Sequence, residues 1–325
     1  RLAGRTLTAA GERLTLAAGG PAAAARAAER SALARMPQRL EEVAAHLTQR
    51  VNPWHYCATA WLGDDTALSI LHGRLPIYLD TRGTDVAPHV MLFGIWEPNY
   101  TQLFQRLIRP GDTVLDLGAH LGVYTLLGAA ATGPTGRVHA FEPNPRYAAL
   151  LGRSLAVNGF TGFATLHQAA AGAAEGVSEL SFSWEYGGGG NIATGTRRGA
   201  RNRPNAPETE ACRVVALDDL FPDPAFTADV VKMDIEGTET YALRGMAALL
   251  ARSPRVRILF EFAPAMLRGH GSSAAELIGL LDGMGFRFWS IRADSGLDPV
   301  AASTLSAQSD GIANLLAART DPAVA

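Results

Sequence analysis

The sequence predicts an α/β fold: a mainly parallel sheet with helices on both faces, preceded by an N-terminal helical and β extension. Three observations carry this. Short apolar segments at 113–117, 137–141, 163–167, 229–233, 256–260 and 286–291 each have the length of a strand. Helix-like stretches at 121–132, 145–157, 239–251 and 273–284 separate most of them. The 325 residues are 47% hydrophobic and 18% charged, enough apolar material for one large core plus an appendage.

Taken in order, Pro21 to Gln49 is rich in Ala, Leu, Arg and Glu, with Leu33, Met36, Leu40, Val43 and Leu47 at steps of three or four. This predicts an amphipathic helical arm that packs on its own domain, with homodimerisation through the helix as the alternative. Residues 66–80, TALSILHGRLPIYLD, read as two short strands around Gly73. Tyr100 to Ile108 has helical periodicity, with Leu103, Phe104, Leu107 and Ile108 on one side, and Pro110 and Gly111 stop it. The chain is accordingly divided into an extension, 1–93, and a main domain, 94–325. The helix after the second strand of the main domain starts legibly, with Asn144 as N-cap and Pro145 in the first turn. About sixty residues then separate the third and fourth strands and read as a long loop. That loop carries Gly187 to Gly190, a hinge, and Arg197, Arg198, Arg201 and Arg203, either a solvated cluster or a clamp for an anion.

Several function classes are disfavoured at this level. Net charge is −2 and the basic residues are arginine with the one exception of Lys232, so no global field points to nucleic acid or an anionic membrane as partner. Cys57 and Cys212 lie far apart with no metal-type spacing, in keeping with a cytoplasmic protein. No apolar run reaches the roughly 20 residues that span a bilayer. Arg1, Arg5, Arg13, Arg26 and Arg30 break any secretory signal, and the opening on Arg rather than Met reads as a trimmed start. His55, His72, His89, His139 and His270 show no ligand spacing and read as structural.

In an open α/β sheet, ligands sit beyond the carboxyl ends of the strands. Those ends are Asp116, Glu142, Gln168, Asp234 and Glu261. Acids are costly at the ends of apolar strands unless their charge is used, so the series points to a site. The first loop, VLDLGAHLGVYT at 114–125, sets the ligand class. A dinucleotide site places G-x-G-x-x-G against a pyrophosphate, whereas here Asp116 stands two residues before Gly118, with His120 and Gly122 following. A carboxylate there repels a pyrophosphate and suits a cationic amino acid portion, as in S-adenosylmethionine. Glu142 follows about twenty residues later, where a carboxylate can accept both hydroxyls of a ribose.

The stretches WEPNYTQLFQRLIRPGDTVLDLGAHLGVYT, VHAFEPNP, VVALDDL, VVKMDIEGTETYALRGM and ILFEFAP resemble, in order and spacing, the FkbM family of S-adenosylmethionine-dependent methyltransferases. The resemblance covers roughly 94–265 and, more loosely, extends to about 317; FEPNP and KMDIEGTE are its specific pieces. It implies a Rossmann-like methyltransferase fold and transfer to a hydroxyl of a small molecule such as a polyketide, a sugar or another secondary metabolite. Carried over by matching position, Asp116, Gly118, His120 and Gly122 line the amino acid end of the cofactor, and Glu142 and Pro143 hold the ribose. Gln168 and Ala169 lie near the adenine, and Tyr124 and Thr125 contact the carboxylate, with helix-start packing as their alternative. In the family the position of His120 is usually Asn, and histidine keeps a hydrogen-bonding side chain there.

An alcohol needs a base or a metal to become a nucleophile at neutral pH. Asp234, Glu236 and Glu261 are the candidate bases, with Asp234 also facing the sulfonium; Glu239 reads as a helix-start residue. Mg²⁺ held by Asp234 and Glu261 is the alternative, against which stands Phe262 where a further ligand would help, so no metal ligands are assigned. Lys232 faces Glu236 and pairs with it if the strand runs on, and points away if the chain breaks at Gly237. Trp96 and Glu97 either close over the site or serve as core and helix cap. The competing readings are an N-methyltransferase on a small molecule or peptide and, further off, a nicotinamide-dependent oxidoreductase; for a nucleic-acid methyltransferase, DIEG lacks the expected Asn or Asp followed by Pro-Pro and an aromatic.

Overall fold

The computed structural model describes residues 58–183, 191–192 and 208–322. The helix expected at 21–49, the glycines at 187–190 and the arginine cluster lie outside these residues. Tyr56–Ala325 forms one compact unit.

The unit begins with a three-stranded antiparallel sheet, β1 (Ala60–Gly63), β2 (Thr66–Leu71) and β3 (Leu75–Asp80), so the two segments around Gly73 are strands as read. Helices α1 (Val86–Phe93) and α2 (Pro98–Leu107) follow. The main sheet then starts with β4 (Thr113–Leu117), α3 (Val123–Thr132), β5 (Arg137–Phe141), α4 (Pro145–Val157) and β6 (Ala164–His167). Asn144 caps α4 as expected: its Oδ1 accepts from the amides of Arg146 (2.9 Å) and Tyr147 (3.4 Å).

Part of the stretch read as a long loop contributes to a second sheet. Strands β7 (Ala170–Ala171), β8 (Gly176–Phe182), β9 (Asn191–Ile192) and β10 (Glu208–Val215) pair in the order β7-β10-β8-β9. These strands hide from a sequence reading because their faces are largely exposed and polar, so alternation of apolar residues is weak; Val177 is 79% exposed. A short helix α5 (Leu217–Leu220) leads to β11 (Val230–Met233). The single helix expected at 239–251 is two, α6 (Glu239–Arg244) and α7 (Ala247–Ala251). The chain restarts because the Asp218 carboxylate accepts the amides of Ala248 and Leu249, a cap supplied from another element. Then come β12 (Arg257–Phe262), α8 (Pro264–Gly269), α9 (Ala274–Gly283), β13 (Arg287–Ile291), β14 (Leu297–Val300), α10 (Ala302–Ser306) and β15 (Ala313–Ala318).

The main sheet has the order β14-β13-β15-β12-β11-β4-β5-β6. Strands β12, β11, β4, β5 and β6 are parallel, and β15 inserts antiparallel between β12 and β13. This is the mainly parallel α/β sheet the alternation predicts and the Rossmann-like arrangement the resemblance implies. The chain leaves β4 through β5 and β6 on one side and returns through β11 and β12 on the other, so the switch point lies between β4 and β11.

Alternation along each strand divides the side chains between two cores. Val114, Val138, Val230 and Leu259 pack with Leu103, Phe104 and Leu126 on one face, while Leu115, Val231, Ile258 and Phe260 pack with Leu243, Leu249 and Leu277 on the other. The same alternation puts Asp116, Lys232 and Glu261 on the first face. The hairpin β2–β3 is fastened to α4 of that face: Asp80, 2% exposed, holds Arg146 at 3.0 Å and Arg82 at 2.6 Å, and the Tyr78 amide donates to Ser154 Oγ at 2.9 Å.

Candidate active site

At the switch point a cavity of about 350 Å³ opens over the carboxyl ends of β4, β5, β11 and β12. That volume lies within the roughly 300–1,000 Å³ usual for small-molecule sites. Gly118, His120, Tyr124, Glu142, Pro143, Asp234, Glu236 and Glu261, all expected in the site, line it.

The turn after β4 is shaped by close approach. Gly118 has φ +78, and a Cβ there would lie 1.9 Å from the carbonyl oxygen of Asp234. Gly122 has φ +94 and meets Leu151 instead, where a Cβ would stand 2.2 Å from a methyl carbon. Between them His120 has φ +51, a left-handed backbone that Asn and His adopt more readily than most residues, which accounts for the histidine physically. Its amide donates to Glu142 Oε2 (2.7 Å) and its ring meets the Tyr147 ring edge-on at 4.4 Å. Nε2 is buried without a partner, and burial holds the imidazole down at about 4, neutral at pH 7.

Glu142, 5% exposed, also accepts the Asn144 amide at 2.7 Å, so each carboxylate oxygen takes one backbone N–H. Burial pushes it up to about 7 against those two bonds. Asp116 is placed differently from the expectation. It is fully buried beneath the turn and off the cavity wall, with Oδ2 accepting from Thr125 Oγ1 (2.6 Å) and Oδ1 facing Lys232 Nζ (3.6 Å). Thr125 therefore spends its hydroxyl on Asp116 and lies off the wall too. Gln168 is exposed and Ala169 buried, and neither lines the cavity; that side of the wall is Ala170 and Ala171, because the chain bends into β7 just beyond β6. Tyr124 lines the cavity, and its hydroxyl donates to Glu97 Oε2 at 2.7 Å.

At the other end the strand β11 stops at Met233, and the chain turns with φ +57 at Glu236 and +95 at Gly237. Alternation along β11 aims Lys232 at Asp116 and Asp234, at 3.6 Å each, and its Nζ donates to the Gly118 carbonyl at 2.8 Å. Glu239 is structural, as read: its Oε1 accepts from the amides of Ile235 and Gly237, both at 3.2 Å, and braces the turn. One carboxylate oxygen from each of Asp234, Glu236 and Glu261 lies within 4.8 Å of the others. Burial first, then the charge of Asp234, pushes Glu236 up to about 9 and Glu261 up to about 8.

Glu97 occupies the N-cap position of α2, but its side chain makes no cap bond and joins Tyr124 to Asn314 (2.9 Å) across the cavity wall. Trp96 is partly buried on the same wall, edge-on to His89 at 5.1 Å. The sequence reading missed Asp85, Tyr147, Leu180, Phe182 and Met266, which also line the cavity. Tyr147 alone had a signal, three residues past the Asn144 cap and so in the first turn of α4, beside the strand ends.

Among solved structures, a precorrin-6y C5,15-methyltransferase from Geobacter metallireducens is 12% identical, covering 68% of this chain and 86% of its own, with a TM-score of 0.36. A putative rRNA methylase from Clostridium thermocellum is 13% identical over 67% of this chain and 93% of its own, with a TM-score of 0.40. The O-methyltransferase TomG from Streptomyces achromogenes, solved in complex with SAM, is 16% identical over 69% and 80%, with a TM-score of 0.38. These superpositions are loose. No curated protein sequence matches the chain. The methyltransferase FkbM domain, in contrast, matches residues 116–288, more than half of the chain and a span that includes Asp116, Glu142, the Asp234 turn and Glu261; with the turn after β4 and the strand-end acids inside that span, the protein belongs to the FkbM methyltransferase family.

Proposed function

We propose that the protein transfers a methyl group from S-adenosylmethionine to a hydroxyl of a small molecule. The observation that carries this is one continuous cavity with a ribose-type acceptor pair, Glu142, at one end and a carboxylate cluster, Asp234, Glu236 and Glu261, at the other. The residues fit the cofactor. Gly118 leaves no room for a side chain at the turn, His120 keeps a buried imidazole nitrogen without a partner, and Asp234 on the cavity wall suits a cationic ligand. Glu142 and His120 would hold the nucleoside end, and Gly118 and Tyr124 the amino acid end. When bound, S-adenosylmethionine supplies a methyl group on an electrophilic sulfonium.

The three acids divide the remaining work. Glu236 and Glu261 hold protons at neutral pH, so they donate hydrogen bonds that orient the acceptor oxygen. Asp234, the member that faces an ammonium, is the proton acceptor for the acceptor hydroxyl. This chemistry needs no divalent cation, and transfer is expected to survive EDTA. Calorimetry with S-adenosylmethionine and with NAD tests the reading. Binding of the first alone is expected; binding of NAD alone would put the cavity in the oxidoreductase class.

A further inference from the structure

Lys232 is the single lysine of a chain with 29 basic residues, and it is 3% exposed. Everywhere else an arginine serves. The surroundings say why an ammonium is needed here. Nζ donates to the Gly118 carbonyl at 2.8 Å, stands 3.6 Å from Asp116 Oδ1 and from Asp234 Oδ2, and lies 5.3 Å from the centre of the Tyr124 ring. One donor of the compact ammonium is spent on the carbonyl, and the point charge stands at ion-pair distance from two carboxylates in different directions, a fit that the larger, planar guanidinium does not match in so small a space. Burial opposes the charge, but Asp234 and Asp116 outweigh it and hold the ammonium above its ordinary value, so Lys232 is no proton acceptor.

We propose that Lys232 is a positioning residue for methyl transfer, pinning the Gly118 carbonyl and the Asp234 carboxylate to each other so that the cofactor turn and the reacting end of the cavity are held as one unit. The inference rests on the S-adenosylmethionine reading. The bland alternative is that Lys232 only neutralises Asp116, whose Oδ1 has no hydrogen bond of its own. The two differ in what happens at Asp234.

A single lysine gives a direct probe. The full chain grown on ¹³C,¹⁵N-lysine has one Nζ resonance, expected to exchange slowly and to move when S-adenosylhomocysteine saturates the protein. A resonance that stays put while calorimetry shows S-adenosylhomocysteine bound overturns the inference. Failure of S-adenosylhomocysteine to bind overturns instead the cofactor reading beneath it. Lys232→Met is expected to weaken S-adenosylhomocysteine at least about tenfold, the scale of one charged hydrogen bond, and Lys232→Arg is expected not to restore it. In the double variant Asp116→Asn, Lys232→Met the thermal midpoint should recover while affinity stays low. Recovery of affinity as well reduces Lys232 to a counter-charge and overturns the proposal. Should Lys232→Met fail to fold, the labelled wild-type chain still decides.

Discussion

Replacing Gly118 by alanine tests the turn on which the site depends. Alanine at φ +78 costs about 1–2 kcal/mol for the left-handed backbone. The new Cβ would also stand 1.9 Å from the Asp234 carbonyl oxygen, where real contacts do not fall under 3.0 Å, so the two backbones must part by at least 1.1 Å (3.0 less 1.9). Overpacking of this kind costs about 1–3 kcal/mol more. The sum, about 2–5 kcal/mol, corresponds to a fall in Tm of about 4–20 °C at the 2–4 °C per kcal/mol usual for large domains. Gly159→Ala is the control: φ is +71 there, and nothing lies within 4 Å of the added Cβ. Its cost is only the first part, about 1–2 kcal/mol. Because the displacement falls on Asp234 itself, methyl transfer in Gly118→Ala should drop about a hundredfold, as a 1 Å misplacement can cause. The assays are calorimetric unfolding and transfer from labelled S-adenosylmethionine. Equal Tm and equal activity in the two variants would refute the argument from close approach.

Asp234→Asn should cut transfer by about 10²–10⁴-fold, the range for a lost general base, and leave Tm close to wild type because the side chain is 36% exposed; wild-type turnover in this variant removes Asp234 from the mechanism. Stability should fall as pH rises from 6.5 to 9. Over that window Glu142 and Glu239 (about 7), Glu261 (about 8) and Glu236 (about 9) release protons in the folded state that the unfolded chain has already lost above its carboxylate values near 4.5. Below 6.5 the sign reverses for His72, His120 and His139, buried neutral and held at about 4, so the clean measurement is Tm at pH 6.5 against pH 9. Glu236→Gln should flatten that slope, and an unchanged slope would show that Glu236 is ionised. Asp80→Ala leaves Arg82 and Arg146 without their buried partner and should destabilise by about 3 kcal/mol, the low end for breaking such a group; urea unfolding with no loss would show that the hairpin is held by its apolar contacts alone.

The parallel part of the main sheet was legible because its strands are continuous apolar runs, buried on both faces, with an acid at most carboxyl ends. The turn of 114–125 was legible for the same local reason: two glycines and an acid at that spacing answer to backbone geometry within a dozen residues. The second sheet was not. Strands such as Glu208–Val215 expose most of one face to water, carry no apolar period, and are strands because of the partner they pair with. Strand Ala313–Ala318, alanine-rich and without a turn signal, is fixed by insertion between β12 and β13.

At the site the division is the same. Sequence determined which residues stand at the strand ends, since a strand's last residue follows from where its apolar run stops. Only the tertiary structure decided which of them face the cavity. Asp116 and Asp234 look alike in the sequence, but neighbouring parallel strands put Lys232 in register with Asp116, and α3 closes over the pair with Thr125. One carboxylate is thereby sealed under the turn and the other left 36% exposed at the cavity. Charge, hydrogen bonding and water access at a strand end are set by the elements beside and above it, and those come from distant parts of the chain.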